Sequence, residues 1–216
     1  MSRYDSLYKE RSESTHSLVH LPYVSDPNNS VQVVLIGDSH IERLAWFGAL
    51  KKQVPPHVFV AGVGGDKVQN INYRLLGSNG LLTHLASRKQ TKRIIYMAGG
   101  NNGLQDENSV KRTSATIAYT LQQIQELMPG VDIVVLMIPR ASKAYQKKPV
   151  LYEEFSQQLA AVCANPNLTR PCTYSRELYD LTCKFDDKQI FNDEVHLNEY
   201  GYVQCVLPVM QKYWLL

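Results

Sequence analysis

The chain is poor in cysteine, in net charge and in long apolar runs, and each shortage excludes something. Its four cysteines, Cys163, Cys172, Cys183 and Cys205, are too few for a disulfide scaffold and lack the C-x-x-C pairs of a zinc site. Reduced, mostly buried thiols are expected, with no metal and no cofactor. A net charge of +3, with Lys and Arg scattered along the chain, leaves no electrostatic footprint for nucleic acid. No apolar run is long enough to span a bilayer. The opening stretch MSRYDSLYKERSESTHSLVH has no hydrophobic centre of the signal-peptide kind, so the chain as given reads as intracellular or cytoplasmic. Two glycosylation sequons, at Asn28 and Asn167, would matter only on export.

What is present is ordinary globular composition, 44% apolar and 20% charged over 216 residues, enough for one domain with a full core. Residues 1–30 are polar, aperiodic and end in the turn-rich SDPNNS; they read as a loosely attached arm. Residues 31–216 read as one domain. Apolar, β-branched runs at 31–37, 57–62, 92–99 and 131–139 predict strands, with a weaker fifth at 172–181. Helical spacing predicts helices at 40–53, 66–76, 80–89, 106–128, 150–164 and about 198–213. In 106–128 the spaced residues are Val110, Ile117, Leu121, Ile124 and Leu127, and Pro129-Gly130 stops the helix. Near-continuous apolar strands alternating with helices predict a parallel α/β sheet covered on both faces.

In such sheets ligands bind at the carboxyl ends of the strands, and those ends carry the small and polar residues. The first strand ends in Gly37-Asp38-Ser39-His40, the second in GVGGDKV, the third in AGGNNG, the fourth in Pro139-Arg140. Late in the chain, FNDEVHLNEYGY puts Asp193 three residues before His196. Acyl transfer needs an alcohol, an imidazole to take its proton, a third group to orient the imidazole, and donors aimed at an oxyanion. Ser39 would be the nucleophile, at the start of a helix. His196 would be the base, with Asp193 reaching its Nδ1–H. The N–H groups of Ser39 and Gly65 and the Asn101 amide could form the oxyanion hole. The GVGGD loop lacks the third glycine of a dinucleotide fingerprint, so that reading fails.

With these four blocks, GDSH, GVGGD, GGNN and DEVHL, the chain resembles the SGNH, or GDSL-type, hydrolase superfamily from residue 31 to about 214. In pattern the nearest branch includes the catalytic α subunits of intracellular platelet-activating-factor acetylhydrolase. The resemblance implies a three-layer, flavodoxin-like α/β/α fold with a five-stranded parallel sheet. It also implies Ser39, Asp193 and His196 as the triad, with the oxyanion hole named above. By analogy it makes a homodimer plausible. His40 and Gly100 depart from the branch pattern, which puts substrate choice in question more than catalysis.

Other residues carry plainer alternatives. His40, Asn102 and Arg140 are candidate substrate contacts, although His40 reads better as a helix-start residue facing solvent, and a surface Arg140 fits the sequence as well. Asp38 is read as ordering the corner, and His57 and His84 as structural. Trp46, Trp214 and the tyrosines are read as packing and rim, with Tyr200 and Tyr202 near enough to wall the His196 pocket. The leading function is a metal-independent serine esterase releasing a short, acetyl-sized acyl group from a lipid or sugar ester. A carbohydrate O-deacetylase and a non-catalytic scaffold remain the alternatives.

Overall fold

A computed structural model describes residues 6–77, 79–141 and 148–214, with only the backbone at 48 and 49. Five parallel strands, β1 (Val33–Gly37), β2 (Val58–Gly62), β3 (Arg93–Met97), β4 (Asp132–Leu136) and β5 (Thr173–Ser175), form one sheet in the order β2-β1-β3-β4-β5. All five residues of β1 are buried, as expected of a central strand covered on both faces. Its register pairs Gly37 with Gly62 on one side and with Met97 on the other. The winding direction reverses at β1, so the crevice between the carboxyl ends of β1 and β3 is the topological switch point.

Right-handed crossovers send the helices after β2, β3 and β4 to one face. These are α5 (Val68–Leu76), α6 (Leu81–Arg88), α7 (Glu107–Leu127) and α8 (Pro149–Cys163), which pack in series. The opposite face carries the helices after β1 and β5: α3 (Ser39–Glu42), α4 (Gly48–Lys51), α9 (Glu177–Thr182), α10 (Asp187–Ile190), α11 (Glu199–Gly201) and α12 (Leu207–Trp214). This is the three-layer α/β fold expected.

Three local expectations differ from what is observed. The helix expected over 40–53 is split: α3 passes into a 3₁₀ turn at Arg43–Ala45, and the chain is extended at Phe47 before α4. There the Phe47 ring packs on Tyr202, centroids 5.3 Å apart. The weak strand over 172–181 ends at Ser175, and its second half is α9, where Leu178 and Tyr179 are buried. The stretch before residue 30, expected to be loose, is helical from residue 10: α1 (Glu10–Thr15), a π-turn (His16–His20) and α2 (Leu21–Ser25). It has few apolar residues, but Leu21 and Val24 are buried. Tyr23 stacks on Phe59 of the edge strand β2 at 4.8 Å, and His20 meets the same ring edge-on. An edge strand needs cover, and here the arm's aromatic residues provide it.

All four cysteines are unpaired by disulfide; Cys163 and Cys205 are buried, Cys172 is half-buried and Cys183 is exposed. His57 lies 3.2 Å from the Trp214 carbonyl, and His84 lies 3.0 Å from the Asn79 side chain.

Candidate active site

β1 delivers the chain to the switch point at Asp38. This residue caps α3: its buried carboxylate accepts the His40 N–H at 3.1 Å. Burial pushes the Asp38 carboxyl up to about 7, against the pull of the His40 N–H. Ser39 is the first residue of α3, where a helical N–H has no intrahelical acceptor. The α3 backbone lies against the end of β2 because that strand ends in Gly62, where a Cβ would lie 2.2 Å from the Glu42 nitrogen. Only a glycine lets α3 come so close.

The Ser39 hydroxyl lies 3.0 Å from Nε2 of His196, across 157 positions of sequence. His196 stands in a tight loop between α10 and α11, drawn shut by the Asn192 N–H on the His196 carbonyl (2.9 Å) and the Asn198 N–H on the Ile190 carbonyl (2.8 Å). Inside that loop one oxygen of Asp193 accepts the backbone N–H groups of His196 (2.7 Å) and Val195 (2.8 Å). The other lies 2.8 Å from His196 Nδ1. Burial works to raise the Asp193 carboxyl, but those two N–H bonds and the imidazole hold it down at about 2. A carboxylate on Nδ1 fixes the tautomer with Nδ1–H, leaving the Nε2 lone pair toward Ser39. An alcohol, an imidazole and a carboxylate in this chain can activate the alcohol as a nucleophile.

The second loop is a four-residue turn closed by the Asp66 N–H on the Val63 carbonyl at 3.2 Å. Gly65, at its third position, has φ +72°, the value that a type II turn demands there. Asp66 is fully buried and heavily bonded. Arg74 Nε donates to it at 2.9 Å, Lys9 Nζ at 3.1 Å, and Ser12 Oγ also donates. The third loop brings Asn101 alongside. Its amide donates to the Asp66 carbonyl at 3.1 Å and to the Asp38 carboxylate at 3.3 Å. Both amide hydrogens are therefore engaged, which the sequence did not indicate.

Of the three candidate substrate contacts, Asn102 and Arg140 are engaged in hydrogen bonds within the protein, and His40 sits beside His196. Asn102 caps the first turn of α5 through the Val68 N–H at 3.0 Å and donates to Gln69 at 2.9 Å. Arg140 is buried, not a surface cation. It donates to the carbonyls of Thr182 (3.0 Å) and Phe185 (2.9 Å), pairs with Asp187 at 2.5 Å and lies over the Phe191 ring. His40 is buried too, rather than facing solvent, and its ring centroid is 5.8 Å from that of His196. Burial pulls the His40 imidazole down to about 3, so it stays neutral. Tyr202, also buried, donates to the His40 carbonyl at 2.9 Å, while Tyr200 is half exposed beside Phe185. Trp46 lies exposed under the Arg11 guanidinium, and Trp214 is buried.

Sequence reasoning assigned no individual role to Arg74, Asp66, Lys9 or Ser12. A signal for Arg74 existed: it falls three residues after Ile71 on the apolar stripe Val68, Ile71, Leu75, where a cation needs a buried partner.

With this geometry in hand, the comparisons decide the family. The family model described as GDSL-like Lipase/Acylhydrolase matches residues 35–203, from the first strand past the His196 loop. The chain belongs to the GDSL-like lipase/acylhydrolase family. Among curated family relatives, the alpha1 subunit of platelet-activating factor acetylhydrolase IB from Rattus norvegicus is 28% identical over 125 residues, covering 56% of this chain and 50% of that one. The chain thus spans about half the length of the curated relatives it matches. Solved GDSL folds superpose over more of it. A member of the lipolytic G-D-S-L family from Veillonella parvula has TM-score 0.60 at 18% identity, covering 87% of this chain and all of that one. The acetylxylan esterase Axe2 from Geobacillus stearothermophilus has TM-score 0.58 at 14% identity, covering 85% and 95%. At these identities the likeness concerns the fold. Among the described residues no helix is long and apolar enough to cross a membrane.

Proposed function

We propose that this GDSL-family chain is a serine esterase that removes a short acyl group through an acyl-enzyme, with Ser39 as nucleophile. The observation that carries the proposal is the continuous chain Ser39 Oγ, His196 Nε2, His196 Nδ1, Asp193 Oδ2, with contacts of 3.0 and 2.8 Å. Nε2 takes the hydroxyl proton as Oγ bonds to the ester carbonyl carbon, and Asp193 stabilises the imidazolium. The N–H groups of Ser39 and Gly65 face the developing oxyanion with the Asn101 amide; each such donor contributes about 3–4 kcal/mol. The longer Asn101 bond, to Asp38, is the one an oxyanion displaces. His196 then returns its proton to the leaving alcohol. Water repeats the sequence in reverse, releasing the acid and free Ser39.

An acetyl-sized group is supported by relatives named acetylhydrolase and acetylxylan esterase. The leaving alcohol is a lipid or a sugar, and the fold likeness alone does not favour one. A p-nitrophenyl ester panel of rising acyl length, with acetylated sugars and an acetylated phospholipid beside it, tests both points. Activity should peak at acetate and fall by several orders of magnitude in Ser39→Ala with the fold intact. Survival of that activity in Ser39→Ala would remove Ser39 from the chemistry. Absence of labelling by a fluorophosphonate in the wild type would favour a non-catalytic scaffold.

A further inference from the structure

We infer that Lys9, from the N-terminal arm, is a positioning residue that aims the Gly65 N–H into the oxyanion hole by gripping the Gly64 carbonyl on the same peptide. The inference rests on the reading of the site given above. Lys9 lies outside the residues 35–203 that match the family model.

The argument starts from the peptide plane. In a trans peptide the carbonyl oxygen of one residue and the N–H of the next point in opposite directions. Whatever holds the Gly64 oxygen therefore sets the direction of the Gly65 N–H. Lys9 Nζ donates to the Gly64 oxygen at 2.7 Å. The same ammonium is 3.2 Å from where a Cβ on Gly65 would stand.

The turn makes that grip necessary. Type I and type II turns differ mainly in their middle peptide, which is rotated by roughly half a turn between them. In Val63-Gly64-Gly65-Asp66 the middle peptide is the one joining two glycines. Neither has a side chain to disfavour either form, so the local sequence selects weakly. The observed φ of +72° at Gly65 belongs to the form in which Lys9 holds the carbonyl. Rotating that peptide would turn the Gly65 N–H away and break the charge-assisted bond.

Lys9 is itself fixed. The residue two before it is tied to α5 twice: the Leu7 N–H donates to the Gln69 carbonyl at 3.0 Å, and Asn70 donates to the Leu7 carbonyl at 2.8 Å. Lys9 also donates to Asp66 at 3.1 Å, on the carboxylate that Arg74 holds from the other side. A cation on the carbonyl further polarises the peptide, so its N–H is a stronger donor to an anion.

The experiment uses the full chain with p-nitrophenyl acetate. Lys9→Met should lower kcat by about tenfold to a hundredfold, because a misdirected donor loses part of what a deleted one loses, with KM changed by less than about twofold. Lys9→Arg should recover most of kcat, and added methylammonium should restore part of it in Lys9→Ala. Arg11→Met is the control for arm docking, since the Arg11 guanidinium passes beside Gly64 but bonds Glu42, at 2.9 Å, and does not hold the Gly64 carbonyl. It should lower the melting temperature and keep kcat. The inference is overturned if Lys9→Met keeps wild-type kcat, or if Arg11→Met loses kcat equally. Full activity in Ser39→Ala would instead overturn the reading of the site, whatever Lys9 does.

Discussion

Arg74 Nε and the Asp66 carboxylate are 2.9 Å apart, and both side chains are sealed from solvent. The same guanidinium donates to the carbonyls of Ala61 (3.1 Å) and Gly37 (3.3 Å), so one cation ties together the carboxyl ends of β1 and β2. Removing one member of such a pair leaves the other charged and unmatched in the interior. Arg74→Met should therefore cost about 3–5 kcal/mol in denaturant unfolding. A loss below about 1 kcal/mol would mean that Asp66 is neutralised by Lys9 alone.

Asp193 is half exposed, so replacing it should disturb the fold little and the chemistry a great deal. Asp193→Asn keeps the acceptor for the two backbone N–H groups but can turn its amide to Nδ1 and stabilise the wrong tautomer. We expect kcat to fall by about 10³–10⁴ with the melting temperature nearly unchanged. A drop of less than about tenfold would show that the carboxylate does not orient the base.

Acid should destabilise the protein well above the range in which ordinary carboxylates titrate. Burial pulls the imidazoles of His20 and His40 down to about 3 from 6.5. Between those values the unfolded chain binds protons that the folded chain refuses, so stability falls as pH drops from about 6.5 toward 3. Asp38 works the other way: raised to about 7 from 3.8, it favours the folded state as pH falls through that window, but it is one group against three, since burial lowers the His16 imidazole as well. Asp193, lowered to about 2, adds its own loss below 3.8. Melting curves from about pH 8 to 4 should show a net decline, smaller in His20→Phe. An identical decline in His20→Phe would assign the acid sensitivity to other groups.

Arg140 separates architecture from substrate contact. Its guanidinium joins the end of β4 to the segment 182–187 through two carbonyls and Asp187. Lys cannot reproduce this fork. Arg140→Lys should lower the melting temperature with KM for small esters unchanged. A raised KM at unchanged melting temperature would place the side chain against substrate.

The parts of this molecule that are legible in sequence are those governed by local rules. Strand bodies show as apolar runs, and the catalytic candidates show because they cluster where strands end. The GVGGD block pointed to Gly65 because a residue without a side chain can present its N–H to a substrate, while the turn that needs a glycine there showed only in the structure. The arm was not legible: its helices are too short to show a period, and they are held by Phe59, Gly64 and Asp66, more than thirty positions away. His40 was misread for a related reason. In a helix of four residues no periodicity marks the inward face, and the ring packs beside His196, 156 positions on.

Pattern and composition along the chain were thus enough to read a wound α/β sheet and to name an alcohol, an imidazole and a carboxylate as candidates for one site, because hydrophobic period and turn chemistry act over a few residues. Which donors stand ready, which are already engaged, and which distant lysine grips the glycine turn were decided only when folding brought remote segments into contact. Hydrogen bonds and ion pairs depend on angstroms of separation in space, and nothing in the spacing of residues along the chain encodes those separations.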